Sequence, residues 1–372
     1  MNKPKIIALY LPQFHCIPEN DLFWGKGFTD WVSVKKAKPL FEGHNQPVVP
    51  LNNNYYDLSK EESVEWQAKL AKDNGIYGFG VYHYWFNNEK NLLTKPAEIL
   101  RDSKTADIKY FFIWDNNNWK RSWSNVEGNS WALTEEKQID KETGMSILIP
   151  FILGSEPDWE NHYNYLRTHF KSPNYEKHNN RPVFCIFWHN KEIEKMCEYW
   201  NILAQKDGFD GIYIIYKDNK SKLLDKTEKR YIYQPHWSGW QSPSILGKII
   251  NRIQKILHIN PKPKMKVLDY DEVWNKIIKY AQVHGEKELY QGAFVGYDDS
   301  PRRGKDRAII VNGTTPEKFK KYFKEMYQIS ANQNKEYIFL TAWNEWGEGA
   351  YLEPDTVNGY KYLTAIKEIT EG

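Results

Sequence analysis

The chain has 372 residues, 27% of them charged, and a formal net charge of +3. That length suits one large domain with loop insertions, and so small a net charge gives no global attraction to nucleic acid. Cys16, Cys185 and Cys197 form an odd set without C-x-x-C spacing, which argues against a disulfide scaffold and for reduced, mostly buried thiols.

The chain opens Met1-Asn2-Lys3-Pro4 and passes at once into a short apolar run, too short for a signal-peptide core. No stretch reaches the ~18 apolar residues of a membrane span. The expected location is therefore the cytoplasm, with peripheral contact at the inner membrane left open.

In chain order, eight strand-like runs stand out by β-branched and aromatic content: 5–11, 77–84, 109–114, 182–188, 211–216, 230–234, 290–296 and 336–342. Helical periodicity falls between or after them at 59–74, 157–170, 191–207, 271–284, 315–332 and 359–370. Runs such as Tyr110-Phe111-Phe112-Ile113-Trp114 are apolar on both faces, as buried parallel strands are. The alternation predicts an α/β fold, a single (β/α)8 TIM-type barrel over residues 1–372, although an open doubly wound sheet would alternate similarly.

Two segments depart from a minimal barrel. Residues 12–58 form a long loop rich in Pro, Asn, Trp and Phe, expected to fold over the C-terminal face. Residues 241–266 form a basic insertion without a single acid, carrying Lys248, Arg252, Lys255, Lys262, Lys264 and Lys266. Within it Ile245, Leu246, Ile249, Ile250, Ile253, Ile256 and Leu257 recur at helical spacing. Over 245–266 this pattern suits either an anionic membrane surface or ordinary packing on the barrel with the cations in water.

Barrel enzymes carry their chemistry at the C-terminal ends of the strands, and here those ends are polar and aromatic: His15; His83, Tyr84 and Trp85; Trp114, Asn116, Asn118 and Trp119; His236; Tyr297 and Asp298; Trp343 and Asn344. With 16 Trp, 25 Tyr and 17 Phe in the chain, such strand ends suit a glycan cleft, where flat rings stack on sugar faces and polar neighbours bind hydroxyls. The histidines are expected to bind sugar hydroxyls or make structural hydrogen bonds; no H-E-x-x-H helix points to a metal, and no metal or cofactor is expected. Arg302 and Arg303 are candidates for an acidic sugar or phosphate, or for ion pairs with the preceding aspartates.

The most acidic and aromatic strand end is the last, Trp343-Asn344-Glu345-Trp346-Gly347-Glu348-Gly349. Glu345 and Glu348 are the candidate catalytic pair, since reaction at a glycosidic bond needs one group to protonate the leaving oxygen and another to assist attack. Apolar surroundings would keep one of them protonated at neutral pH. Trp346 completes the set of candidate substrate contacts.

Longer motifs carry a resemblance. Tyr10 to His15, Pro18 to Asp21, Trp24 to Trp31, Tyr82 to Phe86, Trp114 to Arg121, Tyr297 to Gly304, Ala342 to Gly349 and Leu352 to Asp355 resemble the WbsX family, associated with lipopolysaccharide and O-antigen gene clusters and often labelled glycosyltransferase. That family is similar to glycoside hydrolase family 99, the endo-α-mannosidases. The resemblance implies an oligosaccharide or polysaccharide substrate and a retaining reaction through a 1,2-anhydro sugar. Glu345 would deprotonate the substrate's 2-hydroxyl, and Glu348 would serve as acid and then base.

This chain departs from its relatives in having Asp115 for a usual Ala, Asn117 for a usual Glu, and Gly347 where the hydrolases carry His. A sugar-nucleotide glycosyltransferase therefore stands as an alternative, with Asp269-Tyr270-Asp271 as a D-x-D match that fits helix capping better. A non-catalytic glycan-binding protein is a second alternative.

Overall fold

The computed structural model describes residues 3–120, 146–219, 227–239 and 264–372. Eight parallel strands form the barrel: β1 (Lys5–Tyr10), β2 (Gly78–Asn87), β3 (Lys109–Trp114), β4 (Arg181–Ile186), β5 (Tyr213–Lys217), β6 (Arg230–Tyr231), β7 (Leu289–Phe294) and β8 (Tyr337–Thr341). Each pairs with the next in sequence, and β1 also pairs with β8, with Ala8 opposite Leu340 and opposite Phe79 of β2. The sheet is thus a closed barrel, which leaves it no free edge.

The strands interleave with helices α1 (Pro18–Trp24), α2 (Asp30–Lys36), α3 (Glu61–Asp73), α4 (Lys95–Asp102), α5 (Glu156–Phe170), α6 (Lys191–Lys206), α7 (Tyr270–Val283), α8 (Ser300–Arg303), α9 (Pro316–Asn332) and α10 (Lys361–Glu371). Local chemistry sets several starts. Asn190, Asp269 and Thr315 each accept a backbone N–H three residues on, at 2.9, 2.9 and 3.2 Å, satisfying donors that a first helical turn leaves open. Asp269 therefore caps α7, while Asp271 accepts from Lys318 at 2.6 Å and Tyr322 at 2.7 Å. The D-x-D letters serve helix geometry.

Aromatic rings fill the barrel, with Phe339 within 4.4 Å of the Tyr231 centroid and 6.1 Å of Phe111. At the N-terminal end Glu176 accepts from Lys5 (3.0 Å), Tyr77 (2.7 Å) and Tyr337 (2.8 Å), satisfying a buried carboxylate. The C-terminal end stays open to form a cleft.

Residues 12–58 differ from the expected loop, since they contain α1 and α2, seven residues each. Trp31 of α2 donates to the Tyr56 carbonyl at 2.9 Å and packs on Phe14, Tyr56 and Trp346. Buried aromatics, rather than a long periodic run, hold this segment. Most of the basic insertion, residues 240–263, lies outside the described residues. Among the described residues no helix is long and apolar enough to cross a membrane.

Candidate functional site

Immediately after β8, Asn344 fixes the path of the chain. Its side chain accepts from Leu11 N–H at 2.7 Å and donates to the Leu11 carbonyl at 3.0 Å, locking the loop to the end of β1. Trp346 stacks on Tyr351 with centroids 3.8 Å apart and donates to Glu353 at 2.6 Å. Between these anchors Glu345 and Glu348 face a cleft of about 160 Å³ lined also by Leu11, Tyr82, Tyr84, Asp115, Phe187, Tyr233, Arg302 and Arg303.

Arg302 joins the two glutamates. Its Nη1 lies 2.7 Å from Glu348 Oε1 and its Nη2 3.4 Å from Glu345 Oε2. Asp30, the first residue of α2, receives the other edge of the guanidinium, from Nε at 3.1 Å and Nη2 at 3.0 Å. This fork-to-carboxylate contact orients the arginine as a lysine could not. Three carboxylates thus share one cation in a buried setting. Burial first, then the charge of Glu348, pushes the Glu345 carboxyl well above the usual range, against the pull of Arg302.

Gly347 has a steric reason. A Cβ there would lie 2.5 Å from Asp30 Oδ2 and 2.6 Å from Arg302 Nε, and its N–H donates to Asp30 at 3.1 Å. The Asp30–Arg302 pair occupies the space a side chain would need.

Of the remaining sequence candidates, Tyr84 and Arg303 line the cleft. The structure corrects His83, Trp85 and Trp114. Alternation along a strand sends Tyr82 and Tyr84 inward and their neighbours outward, so His83 meets His162 of α5 (Nε2 to Nε2, 2.8 Å) and Trp85 stacks on the same ring at 4.4 Å. Trp114, outward on β3, donates to the Trp85 carbonyl at 2.9 Å and packs on Trp200 of α6. Asn116 exchanges two 2.8 Å hydrogen bonds with the Trp188 backbone, and Asn118 accepts from Phe151 N–H at 2.7 Å; both brace loops.

Trp119 stacks behind Tyr84 at 5.9 Å and supports it. His15 and Trp343 are buried, Trp343 against Phe79. His236 packs edge-on to Tyr297, with centroids 5.1 Å apart. Asp298 accepts from Gln46 at 2.6 Å and lies 2.7 Å from His44, in a separate pocket behind Gly349. Arg303 makes the expected pair with a preceding aspartate, Asp299, at 2.7 Å.

Asp30, Tyr82, Asp115, Phe187, Lys217 and Tyr233 were not singled out from sequence as contacts. The signal for Tyr82 was strand parity counted from Tyr84, and for Asp115 parity counted from the outward Trp114 of β3. For Asp30 only proximity in space reveals the role. Asp115 is half-buried, and its loss of solvent raises its carboxyl above the ordinary range, against a hydrogen bond from Asn117 (3.1 Å) and the charge of Lys217.

A family model described as Glycosyltransferase WbsX matches residues 6–366. A protein named WxcX from two strains of Xanthomonas campestris pv. campestris is 28% identical over 98% of this chain. The chain spans about half the length of these curated relatives, 49% of each. Among solved structures, a glycoside hydrolase family 99 endo-α-mannosidase from Bacteroides thetaiotaomicron aligns with TM-score 0.54 at 15% identity, covering 98% of this chain and 96% of that one. A glycoside hydrolase-like protein aligns with TM-score 0.58 at 12% identity, covering 99% and 94%. At these identities the likeness is one of fold.

Proposed function

Because this chain belongs to the WbsX glycosyltransferase family, whose members are glycan-active, we propose that it is a retaining, α-mannosidase-like glycoside hydrolase or transglycosylase of bacterial surface-polysaccharide metabolism. Glu345 and Glu348 form its reactive pair. The observation that carries this reading is the single guanidinium of Arg302 spanning both carboxylates at the mouth of the barrel.

One proton shared by two nearby carboxyls yields one acid and one base at neutral pH, the state that cleavage of a glycosidic bond requires. Burial favours that proton on Glu345, and its transfer to Glu348 gives the reactive form, with Glu345 ionised and Glu348 protonated. A carboxyl with raised proton affinity is also the stronger base once ionised, which suits removal of the proton from a sugar 2-hydroxyl. As Glu345 takes that proton, O2 bonds to the anomeric carbon and the bond to the leaving oxygen breaks with protonation by Glu348; the acceptor, deprotonated by Glu348, then opens the anhydro ring at the anomeric carbon and Glu345 returns its proton to O2. With water as acceptor the reaction is hydrolysis; with a sugar hydroxyl it is transglycosylation. Tyr84, Tyr233 and Phe187 supply aromatic walls for the ring.

The capping role of Asp269 removes the support a D-x-D motif would lend to a sugar-nucleotide transferase. The test is incubation of the protein with a panel of mannose-containing surface polysaccharides, with and without nucleotide sugars, with products read by mass. Fragments formed without nucleotide sugar are expected. Products that appear only with a nucleotide sugar would refute the hydrolase reading in favour of a transferase, and binding without any product would leave a glycan-binding protein.

A further inference from the structure

Beside the glutamates the cleft carries a second polar feature that acid–base chemistry does not use. Lys217, the last residue of β5, is half-buried, with its Nζ 4.1 Å from the Phe187 ring centroid and 4.7 Å from that of Tyr233. Both rings line the cleft. No carboxylate among the described residues lies within ion-pairing distance of this ammonium; Asp115 and Glu348 act on it only through space. Burial outweighs their attraction and brings the lysine down to about 8.

Arg303 lines the same cleft, its side chain 43% exposed and its Nε engaged by Asp299. Lys217 thus sits over two walls of the cleft that Arg303 lines, and both cations lower the proton affinity of half-buried His236. Aromatic faces stabilise a partly desolvated cation by only part of what water supplied. An anion from outside would complete the balance.

We propose that Lys217 and Arg303 form a subsite for an anionic substituent on the glycan, a carboxylate as in a uronic acid or a phosphate ester, held next to Glu345 and Glu348. The inference rests on the glycan-active reading above and narrows it to acidic polysaccharides. Arg302 is not part of this subsite, since Asp30 and the two glutamates already surround it.

The test is calorimetric binding of mannuronate, mannose 6-phosphate and neutral mannose to the full chain. At least one charged sugar should bind tenfold or more tightly than mannose, and which one does so distinguishes carboxylate from phosphate. Lys217→Met and Arg303→Met should each cut that preference to below threefold, while Lys217→Arg, which keeps the charge, should retain it. No charge preference in the wild-type protein, or a preference that persists in both methionine variants, would overturn the proposal. Because binding needs no turnover, a charge preference in a protein that cleaves nothing would sink the hydrolase reading alone. Cleavage of acidic glycans at the wild-type rate by both Lys217→Met and Arg303→Met would sink this inference alone.

Discussion

Arg302 carries one positive charge and faces three carboxylates, Asp30, Glu345 and Glu348. The surplus negative charge is relieved by a proton, and the most buried member of the reactive pair, Glu345, is the one whose affinity for it is raised. This gives two predictions of opposite sign. Arg302 lowers the Glu345 value and Asp30 raises it. The singly protonated pair is the reactive form, so loss of its one proton should set the alkaline limb of kcat/KM; Arg302→Met should move the limb to higher pH and Asp30→Asn to lower pH. Both variants should also lose activity, by roughly 10- to 1,000-fold, since the fork that positions the glutamates is broken. A pH–rate series on the two proteins checks this, and shifts in the same direction would contradict it. The glutamates were legible in the sequence because they follow an apolar strand among tryptophans. Asp30 was not, because an acid at a helix start has an ordinary capping explanation and its partner is far away in the chain.

At the scale of elements, the eight strands and the long helices were visible as continuous apolar runs and helical periodicity. The two seven-residue helices of residues 12–58 were not, since so short a helix shows no full period and its aromatics are buried by neighbours far along the chain. The misplacement of His83, Trp85 and Trp114 has a similar cause: where a strand is buried on both faces, polarity at its end does not say which side chains point inward. Only the alternation, anchored by one inward residue, does. Two predictions belong here. Gly347→Ala should destabilise the protein by roughly 1–3 kcal/mol and suppress activity, because its methyl group must displace the Asp30–Arg302 pair; denaturant midpoints and rates measured together check it. Asp269→Ala should cost about 1 kcal/mol as a lost cap with kcat/KM retained. Lost activity at undiminished stability would restore the D-x-D reading.

For the whole molecule, the barrel buries histidines in a neutral state between strands and helices. His83 and His162 face each other, and burial pushes both well below the usual imidazole range. His169 and His236 are brought down to about 3. Each is a base whose folded value is depressed. Its contribution to stability is therefore complete above the unfolded value, about 6.5, and is lost as pH falls toward the folded value. Urea unfolding between pH 7 and pH 4 should show stability falling with acid, and His169→Phe should flatten that slope by up to one proton, ~1.4 kcal/mol per pH unit; an unchanged slope would contradict the assignment. At its open end the barrel presents the pair Glu345 and Glu348 to the cleft. The most direct measurement is the turnover of a cleaved glycan by wild type, Glu345→Gln and Glu348→Gln, alongside the affinity of each for that glycan. Turnover should fall by ~1,000-fold or more in both variants, with affinity within a few-fold of wild type; turnover within tenfold of wild type in either variant would rule out the pair as the reactive groups.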